Sequence, residues 1–145
     1  MLGSSELRAG FSSNESDSPM YTCENIVSRF RDRKRSANMV LCGTDCYADA
    51  QSRGNIKSPF DGNVVCGFDT MEYMLDNTFS KLGIDTDRVD HPLLLTEPLC
   101  NPEYSRGQMN ELLFEAYQVQ SVNYGLDALF SAYANNVRDN GLVVS

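Results

Sequence analysis

From residue 67 onward, segments with helical spacing of apolar residues take turns with short apolar runs of strand type, and few folds accept that order. Asp69 and Glu72 make a capping-box pair at the head of a stripe of Met71, Leu75, Thr78, Phe79 and Leu82, which Gly83 brings to a stop. Pro92 to Thr96 is a continuous apolar run of the kind a buried parallel strand shows. Ser105 and Gln108 form a second capping-box pair before Met109, Leu112, Leu113 and Ala116. Val119 to Tyr124 reads as a strand, Leu126, Leu129, Phe130 and Tyr133 recur at helical spacing, and Asn140-Gly141 is a turn signal before a last strand, Leu142 to Val144. This order predicts an α/β unit with a parallel or mixed sheet and packed helices. Because it ends on a fresh strand, it reads as a truncated part of a larger fold.

The first half has a different texture. Glu6 to Phe11 alternates apolar and polar residues, Ser12 to Pro19 is dense in turn formers, and Tyr21 to Val27 supplies a second strand-like stretch, so residues 3–31 predict a hairpin or longer two-strand unit. Residues 29–38 are basic and polar, and Met39 to Cys42 is a further short strand. No helix is expected before residue 66 beyond a turn at Tyr47–Gln51.

Length and composition bound the function. A chain of 145 residues holds one domain with a real core. A net charge of −8 argues against a generic nucleic-acid binder, so any contact with DNA needs a local basic patch. Leu93-Leu94-Leu95 is far shorter than the ~20 residues of a membrane helix, and Met1 to Ser5 lacks the basic and apolar parts of a signal peptide. The five cysteines are odd in number and scattered, and Cys42 and Cys46 have no second Cys/His pair at zinc-finger spacing, so they read as reduced thiols of an intracellular protein.

Three blocks carry a resemblance. They are Ser58-Pro59-Phe60-Asp61-Gly62-Asn63-Val64-Val65, Leu94-Leu95-Thr96-Glu97-Pro98-Leu99-Cys100-Asn101-Pro102, and Met109-Asn110-Glu111-Leu112-Leu113-Phe114-Glu115. In this order and spacing they resemble the actin superfamily, the second block most specifically, and within it a nuclear actin-related branch. The resemblance implies a partial actin-like ATPase fold of the ribonuclease H-like type. Residues 1–34 and 67–145 would form the first subdomain, and 35–66 the small second subdomain inserted into it.

Actin-type folds wrap nucleotide phosphates with Gly/Ser hairpins, because glycine lets backbone N–H groups approach phosphate oxygens closely. By resemblance, Gly3, Ser4 and Ser5 are the first such hairpin, and Arg8 stands where actins usually carry a phosphate-contacting Lys. Met1-Leu2 replace the Asp that normally precedes the glycine and supports Mg²⁺. Asp127 occupies the place of the Gln that positions the attacking water; it cannot donate the same hydrogen bond, and a helix N-terminus also favours an Asp. Gly62 aligns with a histidine of the family's sensor region, and Ser145 falls where the second phosphate loop would supply an Asp. ATP or ADP with Mg²⁺ is therefore implied for a full-length parent, with tight binding not expected of this chain alone. Asp90-His91 does not read as a catalytic dyad, since neighbours on an extended chain point to opposite sides, and Cys100 reads as a buried packing thiol.

Arg29, Arg31, Arg33, Lys34 and Arg35 put five cations into seven residues of an acidic chain. On a hairpin tip they could meet DNA phosphates or an acidic protein surface, or be a solvated turn. The long filament-docking loop of actin's second subdomain is missing or very short here, since Arg35 to Asn38 lead almost directly into the next strand. The resemblance thus implies a nuclear subunit of an Ino-eighty-class chromatin-remodelling complex, with nucleosome or DNA contact through the basic run, and neither a membrane nor a self-filament as partner. The alternative is an ATPase of the actin/Hsp70 type, active in a full-length parent.

Overall fold

The computed structural model of the chain describes residues 2–15, 18–32, 36–48, 50–85 and 87–136. Strands β1 (Glu6–Ala9) and β2 (Tyr21–Glu24) pair antiparallel, with Leu7 opposite Cys23 and Ala9 opposite Tyr21. The expected Tyr21–Val27 strand is in fact two. Asn25 and Ile26 make a corner, where Ile26 N–H closes on the Glu24 carbonyl at 2.8 Å, and β3 (Val27–Asp32) leaves in a new sheet. In that sheet β3 lies between β4 (Ala37–Cys42) and β5 (Ile56–Lys57), both antiparallel to it.

The basic, polar stretch thus turns out to be mostly strand, β4 beginning two residues before Met39. Its partner overrides the weak local signal, since all six residues of β3 find a register mate in β4. A 3₁₀ turn (Gly43–Tyr47) and the short helix α1 (Ala50–Arg53) follow where one turn was foreseen. Strands β6 (Phe60–Asp61) and β7 (Val64–Val65) form a tight hairpin whose first central residue, Gly62, takes φ 56°.

Helix α2 (Phe68–Lys81) supplies most of the core: Met71 and Met74 are fully enclosed, Leu75 and Phe79 nearly so, and each is worth about 1.5–3 kcal/mol of burial. It ends as expected, with Gly83 at φ 75°. Its start differs from the expected Asp69/Glu72 box: Gly67 is the cap and no side chain caps it. Packing decides this, because Gly67 N–H donates to the Pro59 carbonyl at 2.9 Å and a Cβ on Gly67 would stand 3.3 Å from Pro59 Cα.

The second box fails similarly. Helix α3 (Glu103–Glu111) starts from Pro102, which leaves Ser105 inside it, buried, with its hydroxyl donating to the Val65 carbonyl at 2.9 Å. A π-helical turn (Leu112–Ala116) continues α3 and places Leu113 in the core. Tyr117 follows, its ring edge-on to Phe79 at 5.2 Å.

The strand before α3, β8 (Leu93–Glu97), pairs parallel with β9 (Val122–Leu126), the parallel pairing the alternation predicts. Two details differ. Leu94 is 61% exposed, so β8 is open on one face at its start and buried on both faces only at Thr96 and Glu97. Strand β9 starts three residues late, because Val119 N–H is taken by the Leu113 carbonyl at 3.1 Å and its side chain belongs to the core. Helix α4 (Asp127–Ala134) follows β9 directly, and none of its residues is fully buried; Leu129 and Tyr133 of its stripe face outward. Asn140-Gly141 and the Leu142–Val144 strand lie outside the described residues.

Candidate functional site

A sharp turn sits at the head of β1. Leu2 and Leu7 bridge antiparallel, and Gly3 N–H donates to the Glu6 carbonyl at 3.1 Å, which closes Gly3-Ser4-Ser5 into a tight loop. Glycine relieves crowding there: a Cβ on residue 3 would stand 3.2 Å from the Glu6 carbonyl oxygen, a tight contact. Asn25, from the corner between β2 and β3, holds the loop from behind. Its backbone N–H donates to the Ser5 carbonyl at 2.9 Å and its side-chain Nδ2 donates to the Gly3 carbonyl. Ser4 and Ser5 are exposed, and their amide and hydroxyl donors meet no acceptor among the described residues.

The root of this turn is tied to the parallel strands. Leu2 N–H donates to Thr96 Oγ1 at 2.7 Å, and Thr96 stands opposite Gly125 in the β8–β9 register. Two residues later comes Asp127, first residue of α4. The turn, the carboxyl ends of two parallel strands and a helix N-terminus therefore gather in one place, the usual position of a ligand in an α/β sheet. The Asp127 carboxylate accepts the Ala128 N–H at 2.6 Å, the local use a helix N-terminus makes of an acid. Gly125 admits the Phe130 ring of α4 over β9; a Cβ there would stand 2.2 Å from Phe130 Cε2.

Arg8 lies on the exposed side of β1 and pairs with Glu6, Nη2 to Oε2 at 2.9 Å. Both residues are about half exposed, so the pair adds little stability, but it draws the guanidinium toward a carboxylate. The outward donors of Ser4 and Ser5, with Gly3 beside them, fit the phosphate end of a nucleotide. Among the described residues no three His, Cys, Asp or Glu side chains are grouped as metal ligands.

Of the basic run, Arg29 and Arg31 lie on the exposed side of β3 rather than at a hairpin tip. The Arg29 guanidinium stacks over the Tyr73 ring of α2 at 5.0 Å, and the Arg31 carbonyl accepts from Gln51 Nε2 of α1 at 2.8 Å. Arg33, Lys34 and Arg35 lie outside the described residues, as do Met1 and Ser145. His91 rests against the Phe11 ring at 5.4 Å, while Asp90 pairs with Arg88 at 2.8 Å, so the neighbours form no dyad. All five cysteines are free. Cys100 is exposed, not buried: it takes φ 61° in the turn that swings the chain from β8 into α3, which carries its side chain off the core.

What residue patterns alone did not reveal is how the Thr96-Glu97-Pro98 block works. Glu97 is buried and receives Arg106 Nε at 3.1 Å, Arg106 Nη2, and Asn101 Nδ2 at 3.0 Å. Arg106 also lies over the Tyr124 ring at 5.5 Å. Burial pushes the Tyr124 phenol up to about 12, Glu97 adding to the rise and Arg106 opposing it. A carboxylate at the end of an apolar run was the available signal, since it must find a cation when buried. Asn25 gave no such signal.

Comparison with known proteins bears on the whole chain. The Actin family model matches residues 2–145. The chain is 51% identical over 133 residues to "Actin-like protein arp5" of Schizosaccharomyces pombe, covering 92% of this chain and 18% of that protein. It is 40% identical over 147 residues to "Actin-related protein 5" of Saccharomyces cerevisiae (99% of this chain, 19% of that one), and 38% over 150 residues to the Homo sapiens protein of that name (99% and 25%). It thus spans about a fifth to a quarter of the length of these curated relatives. With a mixed α/β architecture and a match over nearly its full length, the chain belongs to the actin family.

Proposed function

We propose that this chain is part of a non-filament actin-related subunit of a nuclear chromatin-remodelling complex of the Ino-eighty class, where it helps couple the motor to the nucleosome. The observation that carries the reading is the link between β3 and β4. Asp32 pairs with Ala37, which leaves four residues between the strands. A connection that short offers little reach for docking onto a neighbouring subunit, which argues against self-polymerisation and supports a dedicated partner. Similarity to proteins named actin-related protein 5 supports the same reading. Residues 35–66 act in it as the inserted subdomain, joined to the frame of 1–34 and 67–145 through the β3–β4 ladder. Arg29 and Arg31, with Arg33, Lys34 and Arg35, are the contact for DNA or an acidic partner.

Nucleotide serves structure in this reading. Bound ATP or ADP with Mg²⁺ would supply concentrated negative charge and its counter-ion. Gly3, Ser4 and Ser5 present the donors that hold the phosphate end, and Arg8 adds positive charge from β1. Asp127 spends its carboxylate on its own helix. Tagged full-length protein should recover the remodeller's motor subunit from nuclear extract and stay in the supernatant of a filament-pelleting assay. Recovery of cytoplasmic actin alone sinks the proposal.

The gathering of turn, strand ends and helix N-terminus favours a second reading, an ATPase active in the full-length protein. Turnover that falls in an Asp127→Ala variant supports it; no turnover in either protein disposes of it.

A further inference from the structure

We infer that Asn25 is the positioning residue of the phosphate-facing turn, holding the Gly3 carbonyl inward so that the Ser4 N–H of the same peptide faces out, and fixing Ser5 beside it through its carbonyl. The inference rests on the reading of Gly3-Ser4-Ser5 as a phosphate hairpin, and it adds a residue to which no nucleotide role has been given.

Three observations carry it. Asn25 reaches the turn twice, by backbone N–H to Ser5 and by Nδ2 to Gly3, across a sequence separation of 22 for the side-chain bond. The Gly3 carbonyl and the Ser4 N–H belong to one trans peptide and point opposite ways, so that N–H cannot turn inward without breaking the Nδ2 bond, while the bond to Ser5 fixes the far side of the turn. The side chain is 1% exposed, yet its Oδ1 has no hydrogen-bond partner among the described residues. A buried acceptor left empty is costly, and a packing role would be met better by an apolar side chain of similar size. What the asparagine offers that Leu or Val cannot is the Nδ2 donor, which the turn uses.

Backbone carbonyls repel phosphate, while N–H groups attract it. A Gly-Ser-Ser loop left to itself has many conformers that present a carbonyl to the anion, since glycine gives it wide freedom. Fixing both carbonyls inward removes those conformers before the anion arrives, which raises affinity without adding a contact. The corner between β2 and β3 is what places Asn25 behind the turn.

The test uses the full-length protein, a fluorescent ATP analogue, and amide exchange at Gly3 and Asn25, whose N–H groups close and anchor the turn. Asn25→Asp keeps the shape but replaces the Nδ2 donor with an oxygen facing the Gly3 carbonyl. The expected result is a lowered melting temperature, since the buried carboxyl finds no donor, with exchange at Gly3 and Asn25 speeded beyond the change in the rest of the chain and affinity weakened about tenfold. Asn25→Ser, which keeps a shorter donor, should fall between wild type and Asn25→Asp, and it stands in if the aspartate variant does not fold. Wild-type exchange and affinity in both variants overturn the inference, as does weaker binding with no change in exchange. If the wild-type protein binds no ATP analogue, the phosphate reading fails; the exchange measurement then decides alone whether Asn25 sets the turn.

Discussion

Glu97 and Arg106 form an ion pair of unequal burial: the carboxylate side chain is 8% exposed and the guanidinium side chain 47%. The arginine therefore stays partly solvated while it neutralises a charge that water scarcely reaches. Arg106→Ala removes both the cation and two donors, leaving Glu97 with Asn101 alone among its described partners. A clear loss of stability is expected, because the buried carboxylate keeps its charge without its cation. Arg106→Lys should recover less than half, since an ammonium gives neither the two-pronged contact nor the stacking on Tyr124. Urea denaturation of wild type and both variants, read once the transition is shown to be cooperative, checks the order.

Alkaline pH should weaken the fold. Burial pushes the Cys42 thiol from 9.0 up to about 12, with Cys23 nearby adding to the rise, and Tyr21 and Tyr117 are raised in the same direction, chiefly by burial. A raised acid keeps its proton in the folded state, so the unfolded chain releases protons first. Stability is then full below the unfolded value near 9 and falls as pH climbs toward 12. Melting temperature should be flat from pH 7 to 8.5 and drop steadily above 9; Cys42→Ala should shallow the drop. A rise in melting temperature over that range refutes the assignment.

Thiol chemistry should separate the five cysteines. Cys66 and Cys100 are exposed, Cys42 is half-buried, and Cys23 and Cys46 are buried. Under native conditions at pH 8, alkylation should reach Cys66 and Cys100 first. Cys42, whose thiol is raised, and the enclosed Cys23 and Cys46 should follow only on unfolding. Mass spectrometry of peptides after timed labelling gives the order.

Gly43→Ala should be among the most damaging small substitutions. Gly43 sits at φ 61°, and a Cβ there would stand 2.4 Å from Cys23 Sγ. The left-handed backbone and the clash act together, so a loss above about 1 kcal/mol is expected. Gly62→Ala is the control, with φ 56° but open space around it, and should cost less by the same denaturation assay.

Much of the fold was legible because its signals were local and periodic. The stripe Met71-Leu75-Phe79 names the buried face of α2, and the spacing from β8 through α3 to β9 demands a parallel pair. Helix starts were not legible, because Gly67 and Pro102 are fixed by packing against Pro59 and by proline geometry instead of by the Asp69 and Ser105 side chains. The split at Asn25 was equally hidden: its reason is a bond to Gly3, far away in sequence. Of the candidate site, Gly3, Ser4 and Ser5 entered only through the resemblance, because a Gly-Ser-Ser stretch by itself reads as an ordinary turn. Arg29 and Arg31 were readable as cations but not as strand residues, since the strand exists only through its neighbours.

The bond from Leu2 to Thr96 bridges 94 positions. On a ribosome that adds about 5–20 residues each second, Leu2 waits roughly 5–19 s after its own synthesis for Thr96 to be made. During that interval the hairpin of β1 and β2 can close, but the turn at its head has no floor. The turn is thus translated well before the strand that seats it, and until then the nascent chain must be kept from spending those exposed strand edges elsewhere.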